Sequence, residues 1–258
     1  MKNRILKNKP LVEAILELRW ALLTPAPKIQ IDPHYKLLLG RFSERLADQY
    51  PEHEQLANAI IPDEMSAYMV QHRFRYAPND WPLVQVGPGI MTLNDTHKYV
   101  WEDFRLRALN AVEKLHEAHP KSNELKIESL LLRYVDAVEF DYQTHNLLDF
   151  LQNKLKVTVN LPPNLFESDA ISAIPVQFSW QTTFRCNNPC GSVIVRFATG
   201  EKEGRPVLLW ETMVHTTGSD IPSLPEKFNL WIDQAHQITD DWFFKLIEGE
   251  LERRFSGE

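Results

Sequence analysis

From residue 11 the chain reads LVEAILELRW, in which Val12, Ala14, Leu16, Leu18 and Trp20 fall on one face. Glu13, Glu17 and Arg19 share the other face with Ile15. A period of two with one polar face predicts a half-buried strand. Pro25 and Pro27 then impose a loop. Asp32 caps and Pro33 opens a helix with Leu38, Phe42 and Leu46 at a spacing of four, ended by Pro51. After a polar loop comes SAYMVQHRFRYA, where Tyr68, Val70, His72, Phe74 and Tyr76 form one stripe. The turn Pro78-Asn79-Asp80 joins it as a hairpin to WPLVQVGPGIMTLND. Gly87-Pro88-Gly89 reads as a bulge inside that second strand, with a loop for close ligand approach as the alternative.

A change of period follows. Between Tyr99 and His119, Phe104, Ala108, Leu109, Val112 and Leu115 recur at helical spacing, and Pro120 stops the helix. KIESLLLRYVDAVEFD is the most apolar strand of the chain, which places it centrally, with Arg133 and Asp136 as its polar interruptions. A short helix covers Asn146 to Leu155. VQFSWQTTFRC, GSVIVRFATG and PVLLWETMVHTTG predict a three-stranded meander. The closing stretch carries Leu224, Phe228, Trp231, Ala235, Ile238, Trp242, Leu246 and Leu251 at helical spacing, predicting one helix of about 30 residues.

Strands joined by hairpins and helices in clusters define an α+β class, antiparallel sheets covered by helices with a long C-terminal helix. The pattern allows an N-terminal α+β lobe over 1–141 and a C-terminal meander with its helix over 142–258, two similar lobes or one continuous domain.

Composition narrows the function. With 28 Lys and Arg against 35 Asp and Glu, the formal charge of -7 argues against a nucleic-acid partner, which calls for a basic face. The basic start with Lys2, Arg4, Lys7 and Lys9, together with Arg73 and Arg75, is the weak exception. No apolar run reaches the roughly 20 residues of a membrane span, so no membrane partner and a cytoplasmic location are expected. Cys186 and Cys190 are the two cysteines; zinc wants four ligands and no second pair exists, so neither a metal nor a cofactor is expected.

The chemistry-bearing candidates are few. Asp233, His236 and Asp240, at i, i+3 and i+7 on the closing helix, could orient an imidazole for general-base work. A solvated helix face studded with Gln234, Gln237 and Asp241 is the plainer reading. Glu17 and Arg19 on one strand and Arg133 and Asp136 on another form a second polar set, with Glu17–Arg133 as a cross-strand pair; buried ion pairs are more often structural than catalytic. GxGxxG, GxxxxGK[ST], GxSxG and HExxH are all absent, so nucleotide loops and the common hydrolase signatures have no support.

Four stretches in order, PLVEAILELRW, LVQVGPGIMTLND with WEDF after it, LRYVDAVEF and WIDQAHQITDDWFFKLI, resemble a sporadically distributed prokaryotic family of unknown function. The resemblance transfers no catalytic residue; patchy distribution implies horizontal transfer, as for defence or toxin–antitoxin genes. The expectation is a non-catalytic protein-binding module with a co-encoded protein partner, antitoxin-like. The alternative is an enzyme using a carboxylate–His pair around His236 in an inter-lobe cleft.

Overall fold

The first alternating stretch forms β1 (Leu11–Trp20), the middle strand of a nine-stranded antiparallel sheet. The computed structural model describes residues 6–96, 98–142, 144–168, 171–172 and 174–258; Lys2 and Arg4 of the basic start lie outside them. After β1 come β2 (Leu23–Ala26) and β3 (Ile29–Ile31), a small separate ribbon where the prolines predict a loop. Next are α1 (Tyr35–Leu46), β4 (Glu52–Gln55), β5 (His72–Arg75), β6 (Leu83–Gly87), β7 (Ile90–Asp95) and α2 (Trp101–Ala118). Then follow β8 (Ile127–Glu139), α3 (Leu147–Leu155), β9 (Ser179–Asn187), β10 (Cys190–Lys202) and β11 (Arg205–Thr217). The chain closes with α4 (Phe228–Ile247) and α5 (Glu250–Ser256). The α+β class and the antiparallel sheet dressed with helices stand as the sequence predicts.

Strand order is β4-β5-β6-β7-β1-β8-β11-β10-β9, with β8 paired to β1 on one side and β11 on the other. One row of Cα partners crosses all nine strands: His53, Phe74, Val84, Leu93, Leu16, Leu132, Val214, Val193, Phe184. It lies on the face that the helices cover. The next row is Glu54, Arg73, Gln85, Thr92, Glu17, Leu131, His215, Ser192, Arg185, polar at every position but one. Alternation of side chains across the pleat thus gives one apolar face and one polar face. Each fully buried Leu or Phe of the apolar rows contributes roughly 1.5–3 kcal/mol.

The chain order repeats itself. β1, α1, β5, β6, β7 and α2 are answered by β8, α3, β9, β10, β11 and α4, with β4 added at one edge. The leading strands of the two series, β1 and β8, pair antiparallel at the sheet centre. Beneath the helices the apolar residues form two clusters, one holding α1, α2 and the first half of α4, the other holding α3, α5 and the end of α4.

Three expectations are corrected. Gly87-Pro88-Gly89 is no bulge but the turn between two strands: Gly87 pairs with Ile90, Pro88 fills the first turn position, and Gly89 supplies φ 78° at the second. The closing helix is not continuous. It breaks at Gly249, whose φ of 105° no helix accommodates, and Leu251 and Phe255 resume the buried face in α5. The stripe from Tyr68 is strand only over β5, because Tyr68 itself adopts φ 58°.

Candidate ligand cavity

α2, on β7, and α4, on β8 and β11, lie side by side, and a cavity of about 630 Å³ opens between them. Its floor is sheet: Tyr134 and Asp136 from β8 and Thr212 from β11. Thr212 is the register partner of Tyr134, and Trp210 that of Asp136. One wall is the entry to α2, Tyr99 to Glu102; the other is α4, from His236 to Phe244. The segment before β1 closes the remaining side. It is held by Asn8 N–H donating to the Phe255 carbonyl at 2.8 Å and by Lys9 Nζ donating to the Tyr99 carbonyl at 2.6 Å. The cavity lies where the two apolar clusters meet: Tyr99, Trp101 and Tyr134 belong to one, Leu6, Phe243 and Phe244 to the other.

A hydrogen-bonded chain runs along one side. The Tyr99 and Tyr134 hydroxyls are 2.8 Å apart, and the Tyr134 hydroxyl is 3.0 Å from His236 Nδ1. The Trp101 indole stacks on the His236 imidazole with ring centroids 3.6 Å apart. Burial pushes His236 down to about 4, against weak opposing pulls from Asp233 and Glu102, so the ring is neutral at neutral pH. Burial also raises both phenols, each with a contribution from neighbouring acidic groups.

Asp136 stands apart from that chain. It is 2% exposed, burial alone pushes it up to about 8, and its Oδ2 has no hydrogen-bond partner. Thr212, 0% exposed, leaves its Oγ1 equally without a partner. Buried polar atoms are normally paired, and leaving one unmet costs about 1–3 kcal/mol. Both atoms are themselves buried, so they lie beneath the cavity lining and are not open to it.

The anticipated residues distribute differently from the sequence reading. His236, Asp240 and Asp136 all line the cavity. Asp233 does not join them: its carboxylate takes a bidentate pair from Arg105 at 2.5 and 2.8 Å, fixing α4 to α2. The partner of His236 is therefore a tyrosine hydroxyl in place of a carboxylate. Glu17 pairs with Arg19 at 2.7 Å, and Arg133 with Glu211 at 2.8 Å, so the expected Glu17–Arg133 pair is not formed. Register is the reason: Arg133 sits opposite Ile15 on β1, and Glu17 opposite Leu131. All four of these charged residues face the polar side of the sheet, while Asp136, three positions from Arg133, points to the helix side. Arg73 and Arg75 pair with Glu54. Cys186 and Cys190 sit at the β9–β10 turn, and among the described residues no group of three or more His, Cys, Asp or Glu converges. No helix among the described residues is long and apolar enough to cross a membrane.

Tyr99, Trp101, Tyr134 and Thr212 escaped the sequence reading as site residues. The only signal for them was Asp136 itself, a carboxylate at a covered-face position of the most apolar strand. Compared with protein-family models and with curated proteins, the chain matches none.

Proposed function

We propose that this chain is a small-molecule-binding protein whose ligand sits between α2 and α4 and that works by binding rather than by chemistry. The observation that carries this reading is the cavity itself, walled by Tyr99, Trp101, Phe243 and Phe244 with the Tyr99–Tyr134–His236 hydrogen-bonded chain along one side. The volume of about 630 Å³ falls in the range of small-ligand sites, roughly 300–1,000 Å³. All four stretches that carry the family resemblance supply lining residues: Leu11, Trp101 with Glu102, Tyr134 with Asp136, and His236 onward. Catalysis has less support. His236 titrates far below neutral pH, where a general base is inefficient, and among the described residues no serine or cysteine lines the cavity.

A ligand-observed NMR screen of a fragment library against the wild type and a Thr212→Leu variant tests the proposal. Fragments that bind the wild type and are lost from the variant support it. Fragments that bind both equally, or an empty screen, contradict it.

A second reading keeps the expected protein partner, co-encoded and antitoxin-like. Its support is the edge strand β9, which exposes Phe184, and the exposed Leu161, Leu165, Ile171, Ile174 and Val176 ahead of it. Edge strands with apolar neighbours invite pairing with another chain. Co-purification from the native host tests it: a stoichiometric partner lost on Phe184→Asp supports it, and recovery of the chain alone opposes it.

A further inference from the structure

The two edges of the sheet are unlike. β4 is four residues long and carries Glu52 and Glu54, the short charged form that guards an edge against further pairing. β9 is nine residues long, has no proline and no acid, and its one charge is Arg185. The hydrogen-bond pattern fixes which of its backbone groups turn outward. Thr199 N–H donates to the Phe178 carbonyl at 3.0 Å, and bonded pairs recur at every second residue of an antiparallel ladder, so Trp180, Thr182, Phe184 and Cys186 bond to β10. The two-residue turn at Glu203 and Gly204 agrees, since it sends the bonds of Lys202 and alternate residues before it to β11. The N–H and C=O groups of Gln181, Thr183 and Arg185 therefore point away from the sheet, and all three residues are exposed. No backbone group among the described residues bonds to them.

We propose that β9 pairs antiparallel with β9 of a second copy of this chain, across a twofold axis at Thr183, so that two nine-stranded sheets become one. The pairing rests on the second reading's view of β9 as an interaction edge and makes the chain its own partner. Thr183 is the middle residue of β9, so an axis there pairs the strand along its whole length. Thr183 then faces the partner's Thr183, Gln181 faces the partner's Arg185, and Ser179 faces the partner's Asn187. The one charge of the strand meets a neutral side chain, and no like charges are opposed. On the helix side Phe184, 48% exposed, faces the partner's Thr182 and gains the cover its own chain does not supply. Gln181, Thr183 and Arg185, with two bonds in each pair, form about six new backbone hydrogen bonds about the axis. The contact closes on itself, whereas β9 laid on β4 would leave an open edge on every copy added.

The experiment is sedimentation equilibrium of the full chain over a concentration series. The mass should rise with concentration from 30.1 kDa toward twice that value. Thr183→Pro removes an outward N–H and no bond to β10, so it should weaken association by about 10-fold or more and leave the fold intact. Thr183→Lys and Thr183→Glu each oppose like charges across the axis, and an equal mixture of the two should associate about 3-fold or more tightly than either alone. Should the variants misfold, the wild type decides by amide exchange. Gln181, Thr183 and Arg185 should exchange freely when dilute and slow as concentration rises, while Thr182 and Phe184 stay protected throughout. A mass of one chain at every concentration overturns self-pairing. If Phe184→Asp then still strips a co-purified partner, the edge reading stands with another occupant; if no partner is found, both fail. A doubled mass that survives Thr183→Pro, or a mixture no tighter than its parents, overturns the interface proposed.

Discussion

The Trp101 indole and the His236 imidazole lie nearly parallel, 13° apart, with centroids separated by 3.6 Å. One ring enters from the start of α2 and the other from the middle of α4, so the stack fastens the two helices that wall the cavity. It works with Arg105–Asp233, the bidentate pair one turn further along α2 and one turn earlier on α4. A neutral imidazole suits this position: it stacks on indole, bonds through Nδ1 to the Tyr134 hydroxyl, and brings no charge into an apolar setting.

That neutrality has a pH signature. The folded value of about 4 lies below the unfolded 6.5, so the contribution of His236 to stability is fully present above pH 6.5 and lost as pH falls through 4. The loss approaches about 3 kcal/mol. NMR titration of the His236 ring should give a midpoint near 4; a midpoint near the ordinary histidine value would contradict the packing described.

Asp136 acts with the opposite sign. Its folded value of about 8 lies above the unfolded 3.8, so the ligand-free protein loses stability as pH rises from about 4 to about 8 and then levels off. Between pH 4 and 6.5 the two residues offset each other, which leaves the slope of Asp136 uncovered from 6.5 to 8. Asp136→Asn should gain on the wild type across that window by about 1.4 kcal/mol per pH unit. Denaturant midpoints that keep a constant difference between the two proteins from pH 6.5 to 8 would refute a buried, uncompensated acid.

Two glycines should respond to alanine in opposite directions. A Cβ on Gly87 would lie 1.8 Å from the Met69 carbonyl oxygen, a backbone atom that cannot turn aside. Gly87→Ala should destabilise by about 2 kcal/mol or more. Gly40, exposed within α1, has nothing within 4 Å of its Cβ position. Gly40→Ala should stabilise by about 0.5–1 kcal/mol. Urea unfolding reads both, and equal signs would show the β6–β7 turn or α1 to be misplaced.

On α4 the tryptophans are unequal. Trp231 is 2% exposed and donates from Nε1 to Thr216 Oγ1 at 2.9 Å, whereas Trp242 is half-buried against the edge of Phe184. Trp231→Ala should cost about 3–5 kcal/mol and Trp242→Ala clearly less. Chemical denaturation that ranks them the other way would move the packed face of α4.

Much of the scaffold was legible because it rests on period. The alternation in β1, the apolar run of β8 and the three-strand meander each appear in the sequence as they appear in the fold. Single-residue conformations were harder to read: Gly89 turns a strand back on itself, and Gly249 breaks a helix whose apolar period continues past it. β4 was hidden because EHEQ at a sheet edge needs no apolar residue. The site was legible only in part. Asp136 and His236 stood out as polar groups in apolar settings, but Thr212 and the Tyr99–Tyr134 pair join them only through β8–β11 register and helix docking. Spacing along the chain records neither.

Direct titration of the Asp136 carboxyl tests the account of the cavity floor most directly. The side chain is buried, its Oδ2 has no hydrogen-bond partner, and burial pushes it up to about 8. NMR of the side-chain carboxyl carbon, followed across the acid and neutral range, should give a midpoint near 8. A midpoint near the ordinary value of 3.8 would contradict a buried, uncompensated acid at this position.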